Sequence, residues 1–353
     1  MKKLGLISFG TGGTSGHMTL ITQLANSPEL KEVELYVISE YDYLSKANIG
    51  NKSIQWLRID QQTHQKSLAG RLVHASSQQV NDIILENNID NILFSTFFDT
   101  AITKFARQNN VKTNLITYPL RDTFSQYFFL KAFNKEFDNM FILDDIIPYN
   151  IYTKNGAITC KQPVQKYKNN ILNKKNNILI SCGGGGLPSA DSFFKLVSGA
   201  IPEILSLDES IEIDITIGNY SNIKIFDHYK NNNRVRIHSW IKNWPKKANG
   251  SELVINEAGY FSVNELIANE SVGILIPGNR RMDNQELRAI IYEKKGFGYC
   301  VLPEEGTTGL LKKIEKYFVN NQKIQIINNC KEEQNRKEAI SCIGKNLAYE
   351  VLK

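Results

Sequence analysis

The sequence lacks the long apolar runs and paired cysteines that mark several common classes of protein. No stretch approaches the ~18 uninterrupted apolar residues that a membrane span needs. The short apolar run from Leu4 to Phe9 leads into glycines rather than a small-residue cleavage site, so we interpret it as a first β-strand and not as a signal peptide. The five cysteines are scattered and form no C-x-x-C pair, which argues against a disulfide framework or a zinc site. We therefore expect a cytoplasmic protein.

Strong charge of one sign is also lacking. Hydrophobic residues make up 42% of the chain and charged residues 22%, which excludes wholesale disorder. The net charge is +6, of which residues 1–162 carry +1 and the remainder +5. This excess is too dispersed for a nucleic-acid-binding surface, which needs a concentrated basic stripe. It suits an anionic small molecule or an anionic membrane surface. Peripheral contact with the inner face of a membrane therefore stays open, and the candidate segment in the N-terminal domain is the aromatic cluster at residues 124–133.

Short β-branched runs alternate with helix-permissive stretches along most of the chain. This alternation predicts βαβ units and mainly parallel sheets, that is, an α/β fold. The alternation of strands and helices stops between residues 149 and 177. This polar, Lys- and Asn-rich stretch is predicted to be an interdomain linker. On each side of it a strand, a glycine-rich turn and a helix come first. Two similar domains facing each other across a cleft are the simplest architecture with this order.

The predicted elements have the following bounds. Strands are predicted at 3–9, 34–39, 54–59, 92–95, 112–117, 139–143, 177–182, 212–217, 235–238, 253–256, 273–276 and 298–302. Helices are predicted at 17–26, 65–86, 101–108, 189–205, 262–268, 284–294, 308–319 and 332–353. In the last of these, apolar residues recur at helical spacing.

Two glycine-rich turns stand at corresponding places in the two halves. Residues 10–17 read Gly-Thr-Gly-Gly-Thr-Ser-Gly-His, and residues 181–186 read Ser-Cys-Gly-Gly-Gly-Gly. Glycines let a bound group approach the backbone closely, and a helix amino terminus offers N–H donors and the positive end of a dipole. Either turn suits a phosphate, although an α/β sheet can carry such a turn without a ligand. Their matching places favour ligand binding.

The sequence does not fit the other common nucleotide-binding, catalytic and metal-binding motifs. Neither turn has the Gly-Lys-Ser/Thr ending of a P-loop. The NAD fingerprint fits only with Ser15 at its last glycine position and with Glu40 roughly where an acidic ribose ligand is sought. The G-x-S-x-G elbow, H-E-x-x-H and paired His/Cys spacings are missing from the sequence, so no metal site is predicted. Of the five histidines, only His17 lies inside a motif.

The most informative segment spans residues 256–298. It reads as a strand, a glycine turn at Gly259, a short helix, a strand, a loop, a helix and a strand. Glu265 lies about one helical turn beyond the start of that short helix. A carboxylate there can accept hydrogen bonds from two ribose hydroxyls while the helix amino terminus meets a diphosphate. The alternative is that Glu265 is a solvated charge on the helix surface.

With these motifs the sequence resembles the two-domain GT-B glycosyltransferases of the MurG type, family 28, which use UDP-N-acetylglucosamine. The family's first loop, Gly-Gly-Thr-Gly-Gly-His, is matched at residues 12–17 with serine at one glycine position. The family's donor segment is Gly, then Thr-Val-x-Glu and a later Asp-x-Gln-Gln; it is matched by Gly259, residues 262–265 and residues 283–286. The likeness covers most of the chain in order and is strong in the first loop and at 254–298.

The resemblance implies a GT-B fold with two Rossmann-like parallel-sheet domains. Residues 1–162 would bind the acceptor, residues 163–334 would bind the nucleotide sugar, and a helix at about 335–353 would pack back on the first domain. The implied reaction is inverting, metal-independent transfer of N-acetylglucosamine or a related hexose from a UDP-sugar. The acceptor would be a small-molecule or lipid-linked hydroxyl or amine in glycan or natural-product biosynthesis. No cofactor is implied beyond the UDP-sugar co-substrate, and no nucleic acid.

The resemblance also implies roles for donor-site residues. Gly259 would face the diphosphate, Glu265 the ribose and Gln285 the sugar hydroxyls. Glu286 stands where the family has a second glutamine, and Ile241 matches a position that meets the uracil through its backbone. The other implied donor residues are Gly16, Gly183, Gly184 and Ser262.

The N-terminal domain departs from the family's acceptor motifs. The family's His-Glu-Gln-Asn segment is replaced by residues 117–122 and its glycine-rich acceptor loop by residues 95–100, so a lipid-linked peptidoglycan precursor is not the expected acceptor. His17 is the first choice for the base, because an imidazole accepts a proton near neutral pH. A neutral hydrogen-bond donor is its alternative role, and Asp99 and Asp122 are reserve bases. The expected acceptor-binding residues are Thr14, Ser15, Tyr118 and Arg121.

Several alternatives remain open at this point. An aromatic cluster at residues 124–133 is either core or a contact for an apolar acceptor or a membrane. A nucleotide-sugar hydrolase and a UDP-sugar 2-epimerase would share the fold. A non-catalytic GT-B subunit that binds a partner enzyme is a third alternative, although the first loop and Glu265 argue against it.

Overall fold

The computed structural model describes residues 2–9, 15–39, 54–59, 65–66, 72–73, 77–121, 136–167, 175–183, 188–218, 223–280, 282–320 and 322–353. The chain divides into two compact units. The first contains residues 2–9, 17–163 and 340–353, and the second contains residues 15–16 and 164–339. Each unit is built on one parallel sheet, which confirms the predicted α/β class of two parallel-sheet domains.

The first unit has its parallel strands in the order β3-β2-β1-β6-β7-β8-β9. Their bounds are β1 Lys3–Ser8, β2 Glu34–Ser39, β3 Ile54–Arg58, β6 Asn91–Ser95, β7 Lys112–Thr117, β8 Asn139–Leu143 and β9 Ile158–Cys160. The short strands β4 (Gln65–Lys66) and β5 (Leu72–Val73) form an antiparallel pair. The helices are α1 Ser15–Ala25, α2 Ser77–Glu86, α3 Thr100–Gln108, α4 Asn150–Thr153 and the C-terminal α11 Ile343–Leu352, with a 3-10 turn at Pro28–Leu30.

The second unit has its parallel strands in the order β12-β11-β10-β13-β14-β15. Their bounds are β10 Lys175–Ser181, β11 Glu212–Thr216, β12 Val235–His238, β13 Ser251–Glu257, β14 Gly273–Ile276 and β15 Gly298–Cys300. The helices are α5 Pro188–Leu207, α6 Trp244–Gly250, α7 Tyr260–Ala268, α8 Gln285–Lys294, α9 Gly306–Asn320 and α10 Lys323–Glu338, with 3-10 turns at Ile223–Tyr229 and Pro303–Glu305.

The burial of the strands explains the near-continuous apolar runs in the sequence. The central strands β1, β2 and β6 are almost entirely buried, as are β13 and β14 in the second sheet. A parallel sheet covered on both faces needs near-continuous apolar runs rather than alternation. The order of each sheet reverses next to its first strand, at β1/β6 and at β10/β13. Ligands of open α/β sheets bind beyond the carboxyl ends of the strands at such points.

Two predicted segments differ from the structure in the first unit. The predicted helix at 65–86 begins only at Ser77, and β4 and β5 precede it. Gly70, a poor helix former, divides this stretch of sequence. The predicted linker at 149–177 contains α4 and the edge strand β9, which pairs in parallel with β8. With only three residues, β9 is too short to produce a recognisable hydrophobic pattern.

The C-terminal segment is two helices rather than the one predicted at 332–353. Helix α10 ends at Glu338 in the second unit, and α11 starts after Cys342 in the first. Between them the backbone of Lys161 pairs with this segment, donating to Ser341 O at 2.9 Å and accepting from Ile343 N at 3.1 Å. The crossing to the first unit therefore begins at about residue 340 rather than 335.

Among the residues that the structure describes, no helix combines the length and the apolar character that a membrane span requires.

Candidate functional site

The carboxyl end of the second sheet carries most of the predicted donor residues. At its switch point Ser181 of β10 is paired with Asn256 of β13, and both side chains are buried. Gly183 follows β10 with φ of +73°, a conformation that favours glycine. Its N–H lies 3.4 Å from Ser181 Oγ, so the strand end and the turn are tied together. Gly184 lies outside the described residues.

Gly259 forms the turn between β13 and α7. It is the N-cap of α7 with φ of −66° and ψ of 144°, and as a glycine it supplies no side-chain cap of its own. Because its φ is ordinary, the backbone conformation does not demand glycine at this position. A Cβ at Gly259 would lie 3.5 Å from Ser262 Oγ and 3.9 Å from Gln285 Nε2. The structure thus brings three predicted donor residues, Gly259, Ser262 and Gln285, to one place at the amino end of a helix, which is a favourable position for an anion.

Glu265 lies in the second turn of α7. It is only 8% exposed, so it is not the solvated surface charge of the alternative interpretation. Burial raises the pKa of its carboxyl to about 8. A carboxyl group shifted in this way by its surroundings often marks a ligand site, since folding alone gains nothing from burying it.

Gln285 begins α8 and is buried, with 4% of its surface exposed. Its Oε1 accepts a hydrogen bond from Gly278 N at 2.8 Å, which joins α8 to the loop after β14. Asn284 caps α8 by accepting from Leu287 N at 3.3 Å. Glu286, predicted beside Gln285 in the donor site, is exposed on the first turn of α8. Of these two adjacent residues, Gln285 is therefore buried and Glu286 is exposed.

An ion pair that the sequence analysis missed lies at the same edge. Glu257, the last residue of β13, is 4% exposed and accepts a hydrogen bond from Arg280 Nη2 at 2.6 Å. Burial raises the pKa of Glu257, and the charge of Arg280 opposes that rise. Gly278 lies against this carboxylate, where a Cβ would overlap Glu257 Oε1. The available signal was the glutamate directly before the Gly259 turn, together with an arginine in the loop after the next strand.

Ile241 follows β12 and is partly exposed. The preceding strand is anchored through its last residue, because His238 Nε2 lies 2.7 Å from Oδ1 of the buried Asp214. Asp214 also accepts from Arg236 Nε at 3.0 Å. This network fixes the strand from which the predicted uracil-contacting segment departs.

The first unit presents fewer of its predicted residues. Asp99 caps α3: its Oδ1 accepts from Ala101 N and its Oδ2 from Ser77 Oγ, both at 2.7 Å. The structure thus gives Asp99 a structural role, and its function as a base stays a prediction. Tyr118 is partly exposed and Arg121 is exposed, both just beyond β7.

The first glycine-rich turn and its surroundings are described only in part. The backbone of Ser15, Gly16 and His17 forms the start of α1, and nothing is described of their side chains. Thr14, Asp122 and the aromatic cluster at 124–133 lie outside the described residues. The prediction of His17 as the base therefore stays a prediction.

A strained residue marks the switch point of the first sheet. Thr96, directly after β6, has φ of +63°, which is unusual for a β-branched side chain and costs conformational energy. Its N–H donates to Ile116 O at 2.8 Å, which holds the strained turn against β7. Sequence reasoning singled out the segment at 95–100 but offered no signal for this strain.

Comparison with solved structures supports the fold. The chain is 13% identical to the crystal structure of Acinetobacter baumannii MurG, with a TM-score of 0.63 and coverage of 100% of this chain and 99% of that chain. It is 11% identical to Phytolacca americana UGT2 complexed with UDP-2-fluoro-glucose and pterostilbene, with a TM-score of 0.65 and coverage of 99% and 98%. It is 13% identical to the S. aureus MnaA–UDP co-structure, with a TM-score of 0.61 and coverage of 93% and 91%. At these identities the likeness shows the fold alone.

Comparison at the level of sequence identifies the family. No curated protein matches the sequence significantly. The family model described as the glycosyltransferase family 28 C-terminal domain matches residues 163–343, about half of the chain. That range includes the switch point at β10/β13 and the donor-site residues Gly183, Ile241, Gly259, Ser262, Glu265, Gln285 and Glu286. The chain is therefore a member of glycosyltransferase family 28, with a GT-B fold.

Proposed function

We propose that the protein transfers a hexose, N-acetylglucosamine or a close relative, from a UDP-sugar to a hydroxyl or amine acceptor. The observation that carries the proposal is the buried Glu265 carboxyl in the second turn of a helix whose N-cap is Gly259, with Gln285 beside that glycine. A carboxylate for a ribose, a helix start for a diphosphate and an amide for a sugar hydroxyl match the three parts of a nucleotide sugar. The structures of MnaA with UDP and of UGT2 with UDP-2-fluoro-glucose support this ligand class.

The proposed reaction is a single displacement with inversion. The acceptor oxygen or nitrogen forms a bond to the anomeric carbon, the bond from that carbon to the diphosphate oxygen breaks, and a base takes the acceptor proton. The transition state has oxocarbenium character of the kind seen in glycoside hydrolysis. The amino end of α7 stabilises the charge that develops on the diphosphate, which is the task a metal performs in other transferases. Transfer without a metal stays a prediction.

The base belongs to the first unit in this proposal. His17 is the first choice, because its ordinary pKa allows proton acceptance near neutral pH. Asp122 ranks before Asp99 as the reserve, since both Asp99 carboxylate oxygens already accept hydrogen bonds. Replacing His17 by Ala is expected to lower kcat by about 10²–10⁴-fold while leaving UDP affinity unchanged.

The first experiment is calorimetric binding of UDP, UDP-N-acetylglucosamine, UDP-glucose, TDP-glucose and NAD. We expect binding of the uridine compounds, with loss of that binding in Glu265→Ala. Glu270→Ala is the matched control, because Glu270 lies just beyond the carboxyl end of the same helix. Binding of NAD alone, or of none of these compounds, would disprove the donor assignment. Release of free sugar from the donor without an acceptor would indicate a hydrolase instead.

A further inference from the structure

Arg288 in α8 is a fully buried cation that the proposed reaction does not use. Its exposure is 0%. An arginine is almost never buried without partners, because an uncompensated charge inside a protein is costly. Its Nη1 donates to Ala258 O at 3.0 Å and to Asp283 Oδ1 at 2.6 Å. One guanidinium thereby joins the turn that precedes α7 to the loop that precedes α8.

The Asp283 carboxylate links Arg288 to Gln285. Asp283 Oδ1 accepts from Arg288, and its Oδ2 accepts from Gln285 Nε2 at 3.3 Å. The other end of the Gln285 amide, Oε1, accepts from Gly278 N at 2.8 Å. A backbone N–H can only donate and a carboxylate can only accept, so the amide has one possible orientation.

In this orientation the second N–H of the Gln285 amide does not point at Asp283. An amide nitrogen has two hydrogens, and Asp283 receives one of them. Within the described ranges no acceptor for the other hydrogen is found, although the side chain is only 4% exposed. Nε2 lies 3.9 Å from where a Cβ on Gly259 would stand. A ligand oxygen placed over Gly259 would therefore meet a donor that is already oriented.

We propose that Arg288 is a positioning residue for the sugar half of the donor, acting through Asp283 and Gln285. The guanidinium fixes the carboxylate, the carboxylate fixes the amide, and the amide presents its second N–H to a hydroxyl of the bound sugar. This inference rests on the proposed UDP-sugar donor. It assigns selectivity for the sugar, rather than for the nucleotide, to a side chain that touches neither.

The test compares UDP with UDP-N-acetylglucosamine, or with the UDP-sugar that the panel above selects. Arg288→Lys keeps the charge, but a single ammonium group does not reproduce the two directed contacts of a guanidinium. We expect UDP affinity to stay within about twofold and UDP-sugar affinity to fall about tenfold, the size of one hydrogen bond to a charged or fixed partner. In a Gln285→Ala background, Arg288→Lys should have no further effect on UDP-sugar binding.

Two further variants complete the test. Arg234→Lys is the matched control, because Arg234 binds carbonyl groups such as Leu205 O, at 3.0 Å, near the amino end of β12. It should change neither affinity. Should Arg288→Lys fold poorly in circular dichroism, Asp283→Asn tests the same relay, because its amide would present hydrogens to Gln285 Nε2, and the same split between the two ligands is expected.

Two results would overturn the inference. One is an equal loss of UDP and UDP-sugar affinity in the variants, which would indicate a general structural role. The other is a full effect of Arg288→Lys in the Gln285→Ala background, which would show that Arg288 acts independently of the amide. Failure of the unmodified protein to bind UDP or any UDP-sugar would refute the donor function itself, and the inference with it. That failure is distinguishable because it precedes any substitution.

Discussion

Glu257 and Arg280 form an ion pair across two neighbouring strand ends, with 2.6 Å between Glu257 Oε2 and Arg280 Nη2. The carboxylate is nearly inaccessible, so Arg280 is the cation that compensates its charge. Removing one partner of a buried pair typically costs about 3–5 kcal/mol, because the other charge stays buried. We expect Arg280→Gln to lower the free energy of unfolding by about this amount at pH 7. Urea denaturation followed by circular dichroism measures the change.

The cost of Arg280→Gln should depend on pH. Burial raises the pKa of Glu257 above its unfolded value of 4.5, and Arg280 limits that rise. A carboxyl whose pKa is raised by folding loses stability as pH rises through its folded pKa, so removing Arg280 should cost more at pH 8 than at pH 5. In the double variant Glu257→Gln, Arg280→Gln this pH dependence should disappear. A cost that is equal at both pH values would contradict the explanation.

Gly344 gives a test of how the C-terminal helix is held. A Cβ at this position would overlap Ser27 Oγ and would lie 3.0 Å from Ser27 Cβ. Overpacking of this kind usually costs about 1–3 kcal/mol. We expect Gly344→Ala to lower the melting temperature, and Ser27→Gly in the same chain to restore part of it.

A matched control exists in the second unit. Gly250 is the last residue of the short helix α6, and a Cβ there would meet nothing within 4 Å. Gly250→Ala should leave the melting temperature unchanged or raise it slightly. An equal loss in both variants would show that the space around Gly344 is not the cause.

The fold could be read from the sequence where strands are buried on both faces. The strands at 34–39, 112–117 and 139–143 were predicted with the bounds that the structure has, because such strands need continuous β-branched runs. Short elements gave no comparable signal. The sequence pattern predicts linker at the edge strand Ile158–Cys160, and it gives no sign of the interruption at 339–342 between two helices, because apolar spacing continues across it.

The candidate site could be predicted only where it depends on local spacing. Gly259 and Glu265 belong to one turn and one helix, so their proximity follows from helix geometry. The burial of Glu265 does not follow from spacing, because it depends on what packs against the helix. The contacts of Arg288 with Ala258 and of Arg280 with Glu257 join residues 30 and 23 positions apart. Such pairs depend on strand order, which a single sequence does not specify.

Glu265 should make the stability of the second unit fall as pH rises. Burial raises its pKa from 4.5 to about 8, so folding favours the protonated carboxyl. The stabilisation is complete below about pH 4.5 and is lost as pH rises towards 8, at up to about 1.4 kcal/mol per pH unit. Glu265→Gln stays neutral throughout and should lack this slope. Chemical denaturation at pH 5, 6, 7 and 8 measures both proteins, and equal slopes would refute the prediction.

Binding of UDP should release a proton from Glu265. With a pKa of about 8, the carboxyl is mostly protonated at pH 7 in the free protein. Two ribose hydroxyls that donate one to each carboxyl oxygen favour the ionised carboxylate, so the bound state should hold it deprotonated. UDP affinity should therefore rise with pH up to about 8, by at most about tenfold per unit.

Calorimetry at pH 7 in buffers of different ionisation enthalpy measures the number of protons released on UDP binding. The natural protein should release nearly one proton more than Glu265→Gln. Protons released by UDP itself cancel in this difference, because both proteins bind the same ligand. At pH 9 the difference should vanish, because the carboxylate is then already ionised. The same proton release from both proteins at pH 7 would mean that Glu265 does not receive the ribose.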